Sequence, residues 1–177
     1  VSGSSYLHER VVRINVGYLL AQSPGYSRDI SINIPQRLRL EDVTTEKLIG
    51  DLRLTRTSEG ILVQGVLQCS IFETCSRCLT ETEVTFPILL EELFGTPPHH
   101  HTQFIIGEDN ILDLAPLLRE ELLLGIPTQV LCKPDCKGLC PECGSDLNLG
   151  PCECDVDKID PRWAGLSAFQ KKVTKDD

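Results

Sequence analysis

Methionine is absent from this chain of 177 residues, so its start at Val1 is expected to be a processed or trimmed one. No positively charged stretch followed by an apolar one opens the chain as a leader would. Long hydrophobic runs are missing as well. The longest, such as Leu122 to Ile126, fall far short of the roughly 20 residues a membrane-spanning helix needs. Basic excess is also lacking: 17 Lys and Arg against 26 Asp and Glu leave a net charge of −9 and a pI near 4.9. An electrostatic nucleic-acid binder needs the opposite sign, because its affinity comes from replacing counterions with Lys and Arg. No G-x-S-x-G, G-x-x-x-x-G-K-[ST] or G-x-G-x-x-G occurs, which removes the foothold of hydrolase, P-loop and dinucleotide readings. No Asn-x-Ser/Thr sequon marks a secreted surface.

What remains has the apolar and charged content of a soluble globular protein, long enough for one domain or one domain with a small appendage. Acidity is uneven. Residues 1–129 carry net −7 and residues 130–177 net −2, so a protein partner suits the balance better than RNA. The segment "VVRINVGYLL" reads as either helix or strand. Ile30, Ile32 and Ile34 alternate with Ser31 and Asn33, the period-2 pattern of a half-buried strand stopped by Pro35. Leu52 and Leu54 alternate with Arg53 and Thr55, Ser58-Glu59-Gly60 supplies a turn, and Ile61 to Leu67 runs back. Another strand is expected from Glu83 to Leu90, ending at a polar stretch. "DLAPLLREELLLGIP" predicts a helix over about 113–124, with Asp113 as N-cap and Pro116 in the first turn. Gly125 is expected in the left-handed terminal position, with Pro127 blocking continuation. The expected fold is α+β: a mostly antiparallel sheet body with a docked helix over 1–129, and a cysteine-rich tail over 130–177.

That tail is the most informative part. "CKPDCKGLCPECGSDLNLGPCEC", residues 132–154, holds six of the nine cysteines. A disulfide framework is disfavoured by the odd count, the chain length and the short loops such bridges would close. Thiol redox chemistry has one candidate, Cys75-Ser-Arg-Cys78, where Arg77 would lower a thiol pKa. That pair, however, lies between strand-like segments and not at the start of a helix. Metal binding fits the spacing. Cys140-Pro-Glu-Cys143-Gly144 is a zinc knuckle, preceded by Cys132-x3-Cys136 and followed, after an eight-residue loop-like spacer, by Cys152-x-Cys154. Zinc takes four soft ligands at tetrahedral corners. Cys140 and Cys143 are the firmest pair, and the second pair is either Cys132 with Cys136 or Cys152 with Cys154. Adding Cys75 and Cys78 makes eight thiols, enough for two sites if the hairpin approaches the tail, and leaves Cys69 as a small buried hydrophobe. An all-thiolate site is closed and electron-rich, so the zinc is read as structural, not catalytic.

The other candidates are weaker. His99-His100-His101 is read as a solvated loop, and Trp163, Leu166 and Phe169 as one face of a short terminal helix. No catalytic residue and no small-molecule site stands out.

The string "LCKPDCKGLCPECGSDLN", followed by "CEC" and "DPRWAGL", resembles the cysteine-bearing branch of the YceD family of bacterial and plastid proteins. "CSRCL" after a strand, "DLAPLLREELLLGIP" and "INVGYLLAQSPGYSRDISI" extend the resemblance over most of the chain. It implies a non-enzymatic factor for large-subunit ribosomal RNA accumulation, working in the cytoplasm or the plastid stroma. Its partner would be a ribosomal protein or a large-subunit precursor particle, with direct RNA contact left open. Some members of the family lack the tail cysteines, so a metal site is not the whole of the shared function. The alternative is a redox enzyme or redox-sensitive zinc switch using Cys75 and Cys78.

Overall fold

The computed structural model describes residues 6–97, 102–154 and 162. His99 to His101 and the terminal helix expected at Trp163, Leu166 and Phe169 lie outside the described residues. The chain divides into two compact units. One comprises the residues up to Cys75 with Thr80 to Cys132, and the other Ser76–Leu79 with the chain from Lys133 onward.

The first unit opens with β1 (Leu7–His8), a 3-10 turn (Glu9–Val12), β2 (Arg13–Asn15) and α1 (Gly17–Leu20). The ambiguous "VVRINVGYLL" segment is therefore divided among turn, strand and helix. There follow β3 (Ser27–Ile34), β4 (Leu38–Leu40), β5 (Val43–Thr45), β6 (Lys47–Arg56), β7 (Gly60–Thr74) and β8 (Glu81–Gly95). Short strands β9 (Phe104–Ile105) and β10 (Ile111–Asp113) lead to α2 (Ala115–Gly125). Five strands form the main sheet in the order β3-β6-β7-β8-β9, antiparallel except for the β8–β9 pair. Small sheets β1-β4-β5 and β10-β2 flank it. The architecture is α+β, as the sequence pattern implies.

Period-2 alternation builds the large sheet. Leu48, Leu52 and Leu54 of β6 are buried while Lys47, Asp51 and Arg53 are exposed. Ile61, Val63, Leu67, Cys69 and Ile71 of β7 and Phe86, Ile88 and Leu90 of β8 complete the same face. Each such aliphatic side chain contributes about 1.5–3 kcal/mol when fully buried. Gly50 and Gly65 stand where β6 and β7 approach most tightly: a Cβ on either would overlap the carbonyl oxygen of Val66 or Asp51 across the ladder.

Three expectations are corrected. β8 does not stop at Leu90 but runs on through the polar Glu91 and Glu92 to Gly95, because Phe94 returns to the core face and stacks on Phe104 with ring centroids 5.2 Å apart. Gly125 is the last helical residue and does not adopt a left-handed conformation. It is there for space: a Cβ would come within 2.8 Å of the Phe86 ring. At the other end of α2, Asp113 closes β10, and its carboxylate accepts the Ala115 N–H at 3.0 Å, which caps the helix from one residue further out than expected.

Candidate metal centre

The loop joining β7 to β8 is Cys75–Thr80, and it forms the same turn as Cys140–Ser145. In the first, the Cys75 N–H donates to the Thr80 carbonyl at 2.9 Å, and Leu79 takes a φ of 60°. In the second, the Cys140 N–H donates to the Ser145 carbonyl at 2.8 Å, and Gly144 takes a φ of 73°. Each is a knuckle that turns two cysteines toward one point. The shared pattern C-x-x-C-x-[S/T] was present in the sequence as "CSRCLT" and "CPECGS". It is the signal that identifies the two turns as equivalent, and sequence reasoning missed it.

The sulfurs gather into two quartets. Cys75, Cys78, Cys132 and Cys136 form one, and Cys140, Cys143, Cys152 and Cys154 the other, with all Sγ atoms of a quartet within 4.8 Å of one another. The second pair for Cys140 and Cys143, left open by spacing, is Cys152 with Cys154. The ninth cysteine, Cys69, is fully buried in β7, its sulfur 3.0 Å from the Thr45 hydroxyl and its thiol pKa pushed up by burial. A tetrahedral ion with zinc–sulfur bonds of about 2.3 Å needs neighbouring sulfurs about 3.8 Å apart, so both quartets are of a size to hold one.

The environments differ. In the first quartet Cys75, Cys78 and Cys136 are buried, whereas in the second only Cys140 is buried and Cys143 is exposed. Hydrogen bonding with Ser145, whose Oγ lies 3.2 Å from the Cys143 sulfur, brings the Cys143 thiol down to about 6. That negative sulfur, with burial and Cys140, pushes Cys154 up to about 12. Cys154 thus holds its proton beside the Cys143 sulfur, and a divalent cation is the kind of partner under which it would become a thiolate.

Polar groups of the second unit organise these sulfurs. The Asn148 side-chain amide donates to the Cys136 sulfur at 3.4 Å and to Asp146 Oδ1 at 2.7 Å. Its oxygen accepts the Lys137 N–H at 2.9 Å. Arg77 donates from Nη1 to the Cys136 carbonyl at 2.8 Å, and the Leu139 N–H donates to the Arg77 carbonyl at 3.0 Å. Gly138, with a φ of 76°, fits against that carbonyl. The spacer Gly144–Pro151, read as a plain loop, is tied by a bridge between Leu139 and Asp146. Nothing in the spacing of the cysteines pointed to Asn148 or Ser145.

A sheet-dominated α+β chain carrying two four-cysteine groups defines a class: a protein with paired cysteine knuckles, each group able to hold a metal, on an antiparallel scaffold. Comparison with known proteins makes this particular, since the family described as large ribosomal RNA subunit accumulation protein YceD matches residues 63–170. The chain belongs to the YceD family. It is 33% identical to Rv2926c of Mycobacterium tuberculosis over 159 residues, covering 83% of this chain and 76% of that protein. YlbN of Bacillus subtilis is 36% identical over 135 residues, 72% of this chain and 73% of its own. The large ribosomal RNA subunit accumulation protein YCED homolog 1, chloroplastic, of Arabidopsis thaliana is 25% identical over 145 residues, 69% of this chain and 45% of that one. No solved structure matches the chain. Among the described residues, no helix is long and apolar enough to cross a membrane.

Proposed function

We propose that the chain is a non-enzymatic ribosome-biogenesis factor supporting accumulation of large-subunit ribosomal RNA, with structural zinc in its cysteine quartets shaping a partner-binding surface. The observation that carries this reading is the gathering of eight thiols into two closed, all-sulfur groups on a chain of the YceD family. Zinc is the ion that such a donor set favours: soft thiolates in tetrahedral array, with no place kept for a reacting water. Bound there, the ion supplies shape, not chemistry. Cys75, Cys78, Cys132 and Cys136 would hold one ion and Cys140, Cys143, Cys152 and Cys154 the other. A body over 1–129 and a cysteine tail over 130–177 are the two working parts, in the cytoplasm or the plastid stroma.

The partner is a basic ribosomal protein or a large-subunit precursor particle carrying one. Acidic residues outnumber basic ones, and complementary charge speeds and orients docking. Several of the basic side chains are already neutralised. Arg13 pairs with Asp113, Arg37 with Glu46, Arg53 with Asp29 and Arg119 with Asp42, which leaves less charge for phosphate. The redox alternative has no observation in its favour, because Cys75 and Cys78 are buried instead of being presented to a substrate. The test is affinity purification of the tagged chain from growing cells. Large-subunit precursor particles should co-purify with it and be lost with the double substitution Cys140→Ser, Cys143→Ser. Equal recovery of particles with the double variant would sink the zinc-shaped surface.

A further inference from the structure

The spacer between Cys143 and Cys152 lies antiparallel to the segment Cys136–Cys140, which joins one quartet to the other. Four interactions hold it there. The Cys140 N–H donates to the Ser145 carbonyl, Leu139 and Asp146 form a bridge, the Leu147 N–H donates to the Gly138 carbonyl at 2.9 Å, and Asn148 takes the Lys137 N–H. Asn148 is the spacer residue whose side chain reaches a sulfur of the other quartet. Its amide donates to the Cys136 sulfur while Asp146 fixes its second hydrogen and also accepts the Asn148 backbone N–H at 2.9 Å.

We propose that Asn148 is a positioning residue that couples the two quartets, so that the chain takes up its two metal ions cooperatively. The inference rests on the reading that both quartets hold metal. An ion in the second quartet would bond Cys143 and Cys152, the residues at the two ends of the spacer, and so close it into a short loop with few conformations left. Asn148 is then held facing Cys136 before the first quartet fills. In the reverse direction, an ion on Cys136 fixes the position of its sulfur, which holds the Asn148 amide and with it the spacer in place for the second quartet. The coupling is reciprocal: whatever factor one ion adds to the affinity of the other, the second adds to the first.

The probe is cobalt(II), which reports thiolate ligation through sulfur-to-metal charge transfer, added to the metal-free full chain and followed by absorption and native mass spectrometry. At half loading, metal-free and two-cobalt chains should dominate in the wild type. Asn148→Ala should still bind two cobalt ions at saturation, with the affinity for the second weakened by about tenfold and one-cobalt chains accumulating at half loading. Its charge-transfer band should shift, because the Cys136 sulfur has lost a donor. Asn148→Asp is isosteric and keeps an oxygen for the Lys137 N–H but offers no hydrogen to sulfur, so it should reproduce both changes. One-cobalt chains already dominant in the wild type, or both variants indistinguishable from it, would overturn the coupling while leaving two metal sites intact. Loss of a whole ion in both variants would overturn it too, marking Asn148 as a residue of the fold alone. Absence of cobalt uptake in every chain would remove the metal reading itself.

Discussion

Leu79 and Gly144 occupy the same place in two copies of one turn, yet they are opposite kinds of residue. A left-handed φ costs a residue with a Cβ about 1–2 kcal/mol and costs glycine nothing sterically. Leu79 therefore holds a strained backbone while its side chain is largely exposed. Gly144→Ala should destabilise the second knuckle by about 1 kcal/mol. Space is not the reason, since nothing lies within 4 Å of the added Cβ. Leu79→Gly should come out near neutral, relief of strain being offset by about 0.5–1 kcal/mol of added freedom in the unfolded chain. Urea titrations of both zinc-loaded variants check the pair, and a larger loss for Leu79→Gly than for Gly144→Ala would contradict the assignment of one geometry to both turns. Sequence reasoning placed Gly144 in a knuckle and passed over Leu79, because leucine by itself carries no mark of a left-handed backbone and the signal lay in the C-x-x-C-x-[S/T] pattern that the two turns share. Gly125 misled in the other direction. Glycine after a leucine-rich helix usually means a left-handed stop, whereas here the approach of the Phe86 ring, 39 positions earlier in the chain, is what excludes a side chain.

At the scale of elements, α2 is fastened to the β4–β5 turn by charge as well as by its leucines. Arg119 reaches Asp42 with two parallel bonds of 2.5 and 2.7 Å, and Glu41 lies 3.4 Å away. Hydrogen bonding from the Arg119 guanidinium holds the Asp42 carboxyl below its ordinary range. A carboxyl depressed in the folded state contributes stability that is present above its unfolded pKa and lost as pH falls through the folded one. The same sense applies to Asp29, held down by Arg53. Asp42→Asn should therefore make the acid limb of stability against pH shallower and leave the neutral plateau little changed, since exposed pairs are worth little. Urea midpoints measured from neutral pH down into the carboxylate range test this, and an unchanged acid limb would rule the pair out as a contributor. The β6–β7 hairpin and β3 were legible because alternation and turn residues are local. The end of β8 was not. Glu91 and Glu92 look like a strand stop until Phe94 is seen to share the buried face of Phe86, Ile88 and Leu90.

For the whole molecule, the two units differ in what holds them. The sheet unit owns a continuous aliphatic core, while the described part of the cysteine unit draws on few buried side chains beyond Cys78, Cys136 and Cys140. With metal held in its quartets as proposed, such a segment would take its folding free energy from the ion. The double substitution Cys140→Ser, Cys143→Ser should thus lower the zinc content from two ions per chain toward one. It should also abolish amide protection between Cys140 and Cys154, while the strands β6 to β8 keep their slow hydrogen exchange. Collapse of protection throughout the sheet would show that the core cannot stand without that ion.

The sequence by itself determined the α+β class, the strand-rich body and the presence of a thiol-rich set of the kind that could hold a soft metal, together with the family. These follow from periodicity, turn chemistry and ligand type, all written in neighbouring residues. Only the tertiary structure decided which thiols meet: Cys75 and Cys78 with Cys132 and Cys136, and Cys140 and Cys143 with Cys152 and Cys154. It alone also placed Asn148 on a sulfur twelve residues back. The physical reason is that proximity between segments far apart in the chain is set by how the strands and the spacer fold back, and no local spacing of cysteines encodes that path.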